Sequence, residues 1–494
     1  MAKIAKSPWL QAALDYIPEW LNFQLERYKQ PGCSIAIAHG TELVAEQAFG
    51  VADLRTGETL TPRHRFRIAS HSKTFTAAGV MLLREQHKLG LDDPIGRYVS
   101  GLHKDLAKAR ISELLSHGAG VIRDGHDAGQ FVDRRPFFTR EELLADLAQK
   151  QPLAPGVQLK YSNHGYALLG LMLEQVTGSD YASWMSKHII AAAGLRETVP
   201  DMPFLPKSAP MAVGHSTEFP FGQRLIVPGD NPCNAIAPAG GFVSTASDVA
   251  RFFAQLAPSS KQSILSAASR REMVQRRWRD PVSLLEAHYG LGTMISAPGP
   301  KEWHGHTGGL QGFVSRTAHF PHTGFTISVL VHAQDGFPFD WVEGIASILA
   351  AFQQHGAPSK KLADWRGRWW NLWGASDLVP MGNIVCAIAP QMTVPFHAAI
   401  TEITVTGKDQ GVLQKTSAYN SPGQSVHLER DKKGRVTAFW WGGGKLLPKE
   451  AFVAEATQRY SPAKPLQPAK AKATQKPKAQ SSSVAAIPGK RISV

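Results

Sequence analysis

Ser70-His71-Ser72-Lys73 is the stretch whose reading decides the fold, and it is entered through Phe66-Arg67-Ile68-Ala69. Phe75, Ala78, Gly79 and Leu82 follow at i, i+3, i+4 and i+7, a spacing that predicts a helix with one buried face. Three residues apart at the start of such a helix, Ser70 and Lys73 share a side. A serine hydroxyl is a weak nucleophile at neutral pH, and a desolvated lysine beside it can act as its base in the neutral form. The same residues also fit a plainer reading, a helix N-cap next to a solvated lysine. Ser461-Pro462-Ala463-Lys464 repeats the spacing in a Pro/Ala/Lys tail without a helical pattern, and we read that match as accidental.

Two further clusters change the weighting. Tyr161-Ser162-Asn163 follows the turn Ala154-Pro155-Gly156 and precedes the apolar run Tyr166 to Val176, which predicts a helix. His304-Gly305-His306-Thr307-Gly308-Gly309 precedes a strand-like run ending in Phe313-Val314. Taken singly, these fit a core tyrosine, a helix cap and a tight turn. In this order and at these separations they resemble the three-motif signature of the serine β-lactamase and penicillin-binding-protein superfamily. The Tyr-x-Asn and His-Thr-Gly forms are similar to the branch holding class C β-lactamases, D-alanyl-D-alanine carboxypeptidases, D-aminopeptidases and related esterases. Pro31-Gly32-Cys33-Ser34-Ile35-Ala36, Leu89-Gly90-Leu91-Asp92-Asp93-Pro94, Ile111-Ser112-Glu113-Leu114-Leu115-Ser116-His117 and Gly240-Gly241-Phe242-Val243-Ser244-Thr245 resemble further stretches of that family.

The resemblance implies an α/β (α+β) fold, an antiparallel sheet flanked by helices with a helical subdomain. It also implies roles. Ser70 attacks a carbonyl to form an acyl-enzyme, and Lys73 and Tyr161 share the proton work. The backbone N–H groups of Ser70 and Gly309 form the oxyanion hole. Asn163, His306, Thr307 and Gly308 bind substrate, Asn163 through the substrate amide and through Lys73. His306 stands where β-lactamases carry lysine, which puts a tight β-lactam carboxylate site in doubt. No cofactor and no metal is called for. His304-x-His306 invites a zinc reading, but the Thr-Gly-Gly that follows supplies no further ligand at a recognisable spacing. His117, His126 and His319 read as capped or core histidines, and Asp248 as a helix-start residue.

With 494 residues, two domains and a tail are the natural expectation. We place a hydrolase domain at 1–356, a small β-barrel-like domain at 357–460 and a disordered basic tail at 461–494. The second domain is read from short alternating runs such as Glu402-Ile403-Thr404-Val405-Thr406 and resembles barrel modules of some D-aminopeptidases and esterases. Its tryptophans, Trp365, Trp369, Trp370 and Trp373, read as core. The formal charge is +14, and half of that excess lies in Lys464, Lys470, Lys472, Lys476, Lys478, Lys490 and Arg491. Such a segment cannot bury enough apolar surface to order itself. The basicity marks no nucleic-acid module.

Cys33, Cys233 and Cys386 are far apart and read as buried thiols in a reducing compartment. Asp15 and Glu19 interrupt the apolar pattern after the basic start before a signal-peptide core can form. No run reaches the roughly 18 apolar residues of a membrane span. These features predict a cytoplasmic location, and the resemblance implies a serine hydrolase acting on small-molecule or short-peptide substrates, a peptidase or amidase before an esterase, of unknown oligomeric state. A β-lactamase or D,D-carboxypeptidase is the alternative. From another class, a catalytically silent scaffold with this fold is weighed against it.

Overall fold

The computed structural model describes residues 7–203, 209–283, 286–396, 400–416 and 422–461. The expected basic tail lies, apart from Ser461, outside the described residues. The chain divides into two compact units, Met1–Pro448 and Lys449–Val494. In the second, the described part is a helix, Lys449–Arg459, with no buried residue.

The first unit is built on a nine-stranded sheet. Its spatial order is Glu58–Thr59, Glu42–Asp53, Gly32–His39, Phe325–Val331, Phe313–Phe320, His304–Leu310, Met294–Ser296, Ala287–Tyr289 and Trp278–Arg279, and every pair is antiparallel. In the central pair Ile35 faces Val329 and Ala36 faces Ser328 across the strands. Period-2 alternation then sends Ile35, Ile37, Ile327, Val329 and Val331 to one face. There they pack with Trp20 of the helix Pro8–Arg27 and Trp341, Ile345 and Leu349 of the helix Pro338–His355. The opposite face carries small residues, Ser34, Ala36, Thr326 and Ser328, all fully buried. Small side chains there let the helix Ala246–Leu256 approach the sheet closely, and behind it Phe75 stacks on Phe252 with ring centroids 3.9 Å apart.

The first helix continues through Pro18 as a single element. The predicted Ser70 helix runs Ser72–Glu85 and is buried nearly all round, as expected of a helix threaded through the core. Between Gln86 and Thr139 the described elements are short 3₁₀ turns and the five-residue helix Ile111–Leu115. Pro94 and the positive-φ positions Gly101, Gly120 and Gly125 break that region. Asp248 is more than a helix-start residue: the N-cap is Thr245, and the buried Asp248 carboxylate accepts the Glu197 N–H at 2.7 Å and the Thr198 hydroxyl at 3.0 Å.

An eight-stranded antiparallel meander runs from Gly367–Asn371 to Gly444–Leu446. Trp370 and Leu447 exchange backbone hydrogen bonds of 2.7 and 2.9 Å, bringing the first strand against the chain just past the last and nearly closing a barrel. Trp365 and Trp369 lie in its core with Leu378, Val385, Ile403, Val426 and Phe439. The core reading fails for Trp373, which is 94% exposed at a hairpin tip, and Trp370 is half-buried. The barrel is fastened to the first helix by Tyr16, whose hydroxyl donates to Asp377 at 2.9 Å, while Arg368 grips the same carboxylate at 2.6 and 2.8 Å. Cys33, Cys233 and Cys386 are free and buried. Among the described residues no helix is long and apolar enough to cross a membrane.

Candidate active site

Phe66–Arg67 pairs with Val243–Ser244, and the chain then turns sharply, with Ala69 at φ +48°. A non-glycine residue in this left-handed region is uncommon and strained. The 3₁₀ turn Ala69–His71 carries Ser70 and leads directly into the helix Ser72–Glu85. Two neighbours brace the turn. The Ser72 hydroxyl donates to the Ala69 carbonyl and accepts the Phe242 N–H at 3.0 Å. His71 donates from Nδ1 to the Ile68 carbonyl at 3.0 Å, and its Nε2 lies 3.1 Å from the Thr317 hydroxyl on the sheet.

Lys73 is fully buried. Its Nζ lies 3.1 Å from Ser70 Oγ, 2.6 Å from Asn163 Oδ1 and 2.8 Å from the Ala239 carbonyl oxygen. Burial drives its pKa well below the ordinary lysine value, Asp124 raises it in part and Arg123 lowers it further. The amide and carbonyl oxygens can only accept. A neutral amine that donates to both therefore keeps its lone pair for the third neighbour, the Ser70 hydroxyl.

Tyr161 stands across from Lys73, with Nζ 4.7 Å from the ring centroid. Burial raises the pKa of its phenol, and a hydrogen bond with Ser70 lowers it in part. The following helix, Asn163–Thr177, is capped by Ser162, whose hydroxyl accepts the Gly165 N–H at 2.8 Å. The same hydroxyl donates to the Ile122 carbonyl at 2.6 Å, and the Asn163 N–H donates to the Arg123 carbonyl at 2.9 Å. The second motif is thus stitched to the loop Ile122–Asp124.

Ser70, Lys73, Tyr161 and Asn163 come together. The Asn163 amide oxygen meets Lys73, the contact the resemblance implies, and the partner not foreseen is Asp124, which holds the amide nitrogen. His306 differs from expectation. Its Nδ1 donates to the Thr307 carbonyl at 2.7 Å, and its Nε2 accepts the Tyr289 hydroxyl at 2.9 Å. Burial, reinforced by His71 and Lys73, holds its pKa well below the usual histidine range. The ring is a neutral internal brace with both nitrogens engaged. Thr307 and Gly308 are half-buried and Gly309 is exposed. The strand His304–Leu310 is covered by its outer neighbour only at His304 and Gly305, so the remainder lies along the Ser70 turn with that edge open.

Three groups at the site are given no catalytic or binding role by the motifs: Asp124, Tyr289 and His117. His117 is buried in the core, with its ring 4.2 Å from that of Tyr161. It accepts the Ser162 N–H on Nδ1 at 3.2 Å. The resemblance of Ile111–His117 to the family was the available signal for His117. His126, expected to be capped or core, is exposed, whereas His319 is buried. His304 packs against His319, with centroids 4.9 Å apart, while His306 turns to Tyr289. Among the described residues no three His, Cys, Asp or Glu side chains are grouped to hold a metal.

The Beta-lactamase family model matches residues 17–350. The chain is 29% identical to penicillin-binding protein 4* of Bacillus subtilis over 180 residues, covering 35% of this chain and only 38% of that protein. It is 24% identical to a D-aminopeptidase of Brucella melitensis over 441 residues, covering 86% of this chain and 77% of the relative. The octameric penicillin-binding protein homologue of Pyrococcus abyssi superimposes with a TM-score of 0.61 at 21% identity, covering 88% of this chain and all of the other. The family match spans the sheet, the Ser70 turn and both accompanying motifs: the chain belongs to the Beta-lactamase family of serine hydrolases.

Proposed function

We propose that this chain cleaves amide bonds through an acyl-enzyme on Ser70. The observation that carries the reading is the environment of Lys73 Nζ, where two acceptor-only oxygens leave the amine lone pair to the Ser70 hydroxyl. Ser70 passes its proton to Lys73 as its oxygen attacks the substrate carbonyl carbon. The negative oxygen that forms is taken by the N–H groups of Ser70 and Gly309, each worth on the order of 3 kcal/mol in the transition state. The tetrahedral intermediate collapses, the C–N bond breaks, and the leaving amine takes the proton from Lys73 by way of the Tyr161 hydroxyl. Water then attacks the ester, giving its proton to the same base, and Ser70 is released with its hydroxyl restored.

The D-aminopeptidase relative supports amide substrates, small molecules or short peptides, over esters. His306, neutral and internally engaged, supplies no fixed cation for a carboxylate, which counts against the β-lactamase reading. The braced Ser70 turn and the complete Lys73 contacts count against a silent scaffold. Three free, buried cysteines support a reducing compartment, the cytoplasm. The eight-strand sheet within 367–446 supports the division into a hydrolase segment, 1–356, and a barrel segment, 357–460.

The test is a panel of D- and L-aminoacyl amides, short peptides, nitrophenyl esters and a chromogenic cephalosporin, with Ser70→Ala alongside. The expected result is amide turnover, its loss in Ser70→Ala, and one fluorophosphonate adduct on the Ser70 peptide. Turnover retained in a folded Ser70→Ala protein overturns the reading.

A further inference from the structure

Asn163 can present either end of its amide, and one end serves Lys73. With the oxygen inward it accepts from the amine. With the nitrogen inward, N–H would meet N–H, and the amine would lose the acceptor that fixes its lone pair on Ser70. The Asn163 side chain does not choose by itself. Its amide nitrogen donates to Asp124 Oδ1, and an ionised carboxylate, which only accepts, admits only that orientation. Asp124 is 3.0 Å from Arg123 Nε. The Arg123 guanidinium lies 5.5 Å from the Tyr161 ring, with its side chain 65% exposed at the rim of the site. Both residues belong to the loop whose carbonyls cap the Asn163 helix, so neither floats.

The groups around Lys73 come from several elements. Ser70 comes from the turn before its own helix, and Tyr161, Asn163 and Tyr166 from the second motif and its helix. His117, packed on Tyr161 and Tyr166, and His306 feel the Lys73 charge, and both have depressed pKa values through burial. Cys233 is a buried thiol pushed up to about 12 by burial. These groups are neutral near pH 7, and the charged pair acting on Lys73 is Arg123 and Asp124.

We infer that Asp124 is a positioning residue for Lys73, fixing the amide of Asn163 so that its oxygen meets the amine, and that Arg123 and Asp124 set the charge balance around that amine in opposite senses. The inference rests on Ser70 and Lys73 acting as proposed above.

The experiment is the pH dependence of acylation, read as kcat/KM for the best substrate of the panel and as the rate of fluorophosphonate labelling. It compares the full chain with Asp124→Asn, Arg123→Gln, Asn163→Ala and the double variant Asp124→Asn/Asn163→Ala. Asp124→Asn is expected to slow acylation roughly tenfold to a hundredfold, the scale of a misplaced catalytic group. It should also move the acid limb of the profile to lower pH, because removal of a negative charge disfavours the ammonium form. Arg123→Gln should move the same limb to higher pH, and roughly half a unit or more is expected for loss of a nearby, partly exposed charge. In the Asn163→Ala background, Asp124→Asn should add less than about threefold, since its effect runs through the missing amide. Unmoved limbs in both single variants, or effects that multiply in the double variant, overturn the inference. If Asp124→Asn does not fold, Arg123→Gln decides alone, because its side chain is exposed. Should Ser70→Ala retain turnover, the proposed function falls. If Ser70→Ala is silent and the limbs do not move, only the positioning role falls.

Discussion

Gly308 and Ile68 stand so close that a Cβ at position 308 would sit 2.3 Å from the Ile68 carbonyl oxygen. Ile68 is two residues before Ser70, so this contact sets how near the strand His304–Leu310 comes to the Ser70 turn. A Cβ at Gly309 would meet nothing within 4 Å. The two neighbouring glycines thus have different reasons to be there.

Gly308→Ala is expected to lift the strand from the turn, costing about 1 to 3 kcal/mol of stability as overpacking does and lowering kcat/KM by at least about a hundredfold through the displaced oxyanion donor. Gly309→Ala should leave stability within about 0.5 kcal/mol of the parent. Thermal denaturation and steady-state kinetics on both variants check the contrast, and equal losses of stability would show that the close approach is not at Gly308.

Lys73→Ala and Tyr161→Phe should each slow acylation by at least about a hundredfold, the scale of general acid–base catalysis. Because burial depresses the Lys73 pKa, the acid limb of the wild-type profile should lie well below the ordinary lysine range. Stopped-flow measurement of acyl-enzyme formation across pH tests this. A limb near the pKa of a free lysine would mean the amine is not desolvated during catalysis.

His319 is buried, and its pKa is held down to about 4 by burial first and by His39 second. Unfolded, it would bind a proton below about 6.5. Between 6.5 and about 4 the unfolded state therefore holds more protons at this site, and stability falls as pH falls, by up to about 1.4 kcal/mol per unit. His319→Asn, which retains an amide near the Thr326 hydroxyl that His319 meets at 2.9 Å, should flatten the pH dependence of stability by that amount. Denaturant titrations at pH 7.5, 6.5, 5.5 and 4.5 measure the difference in slope, and parallel curves would contradict the assignment.

Asp377 holds Tyr16 and Arg368 together between the first helix and the barrel. Asp377→Ala should cost about 3 kcal/mol, since it strands a partly buried arginine and a buried phenol. Activity of the folded protein should be unchanged, because none of these groups is in the site. A lowered thermal midpoint with unchanged kcat/KM is the expected pair of readings, and a midpoint like that of the parent would show that the tether contributes nothing.

The sequence by itself determined the parts of this protein that local pattern controls. The i, i+3, i+4 spacing after Ser70 became a buried helix, and the short alternating run at Glu402–Thr406 became a strand of the barrel. Three short motifs, far apart in the chain, named the residues now found around Lys73. They did so through their joint resemblance to the family, since singly each fits an ordinary turn, cap or core residue. Only the tertiary structure decided which atoms those residues present to one another. The direction of the Asn163 amide depends on Asp124, thirty-nine positions earlier, and the engagement of His306 depends on Tyr289, two strands along the sheet. Hydrogen-bond direction and desolvation are set by what packs alongside from elsewhere in the chain, and that information has no period in the sequence.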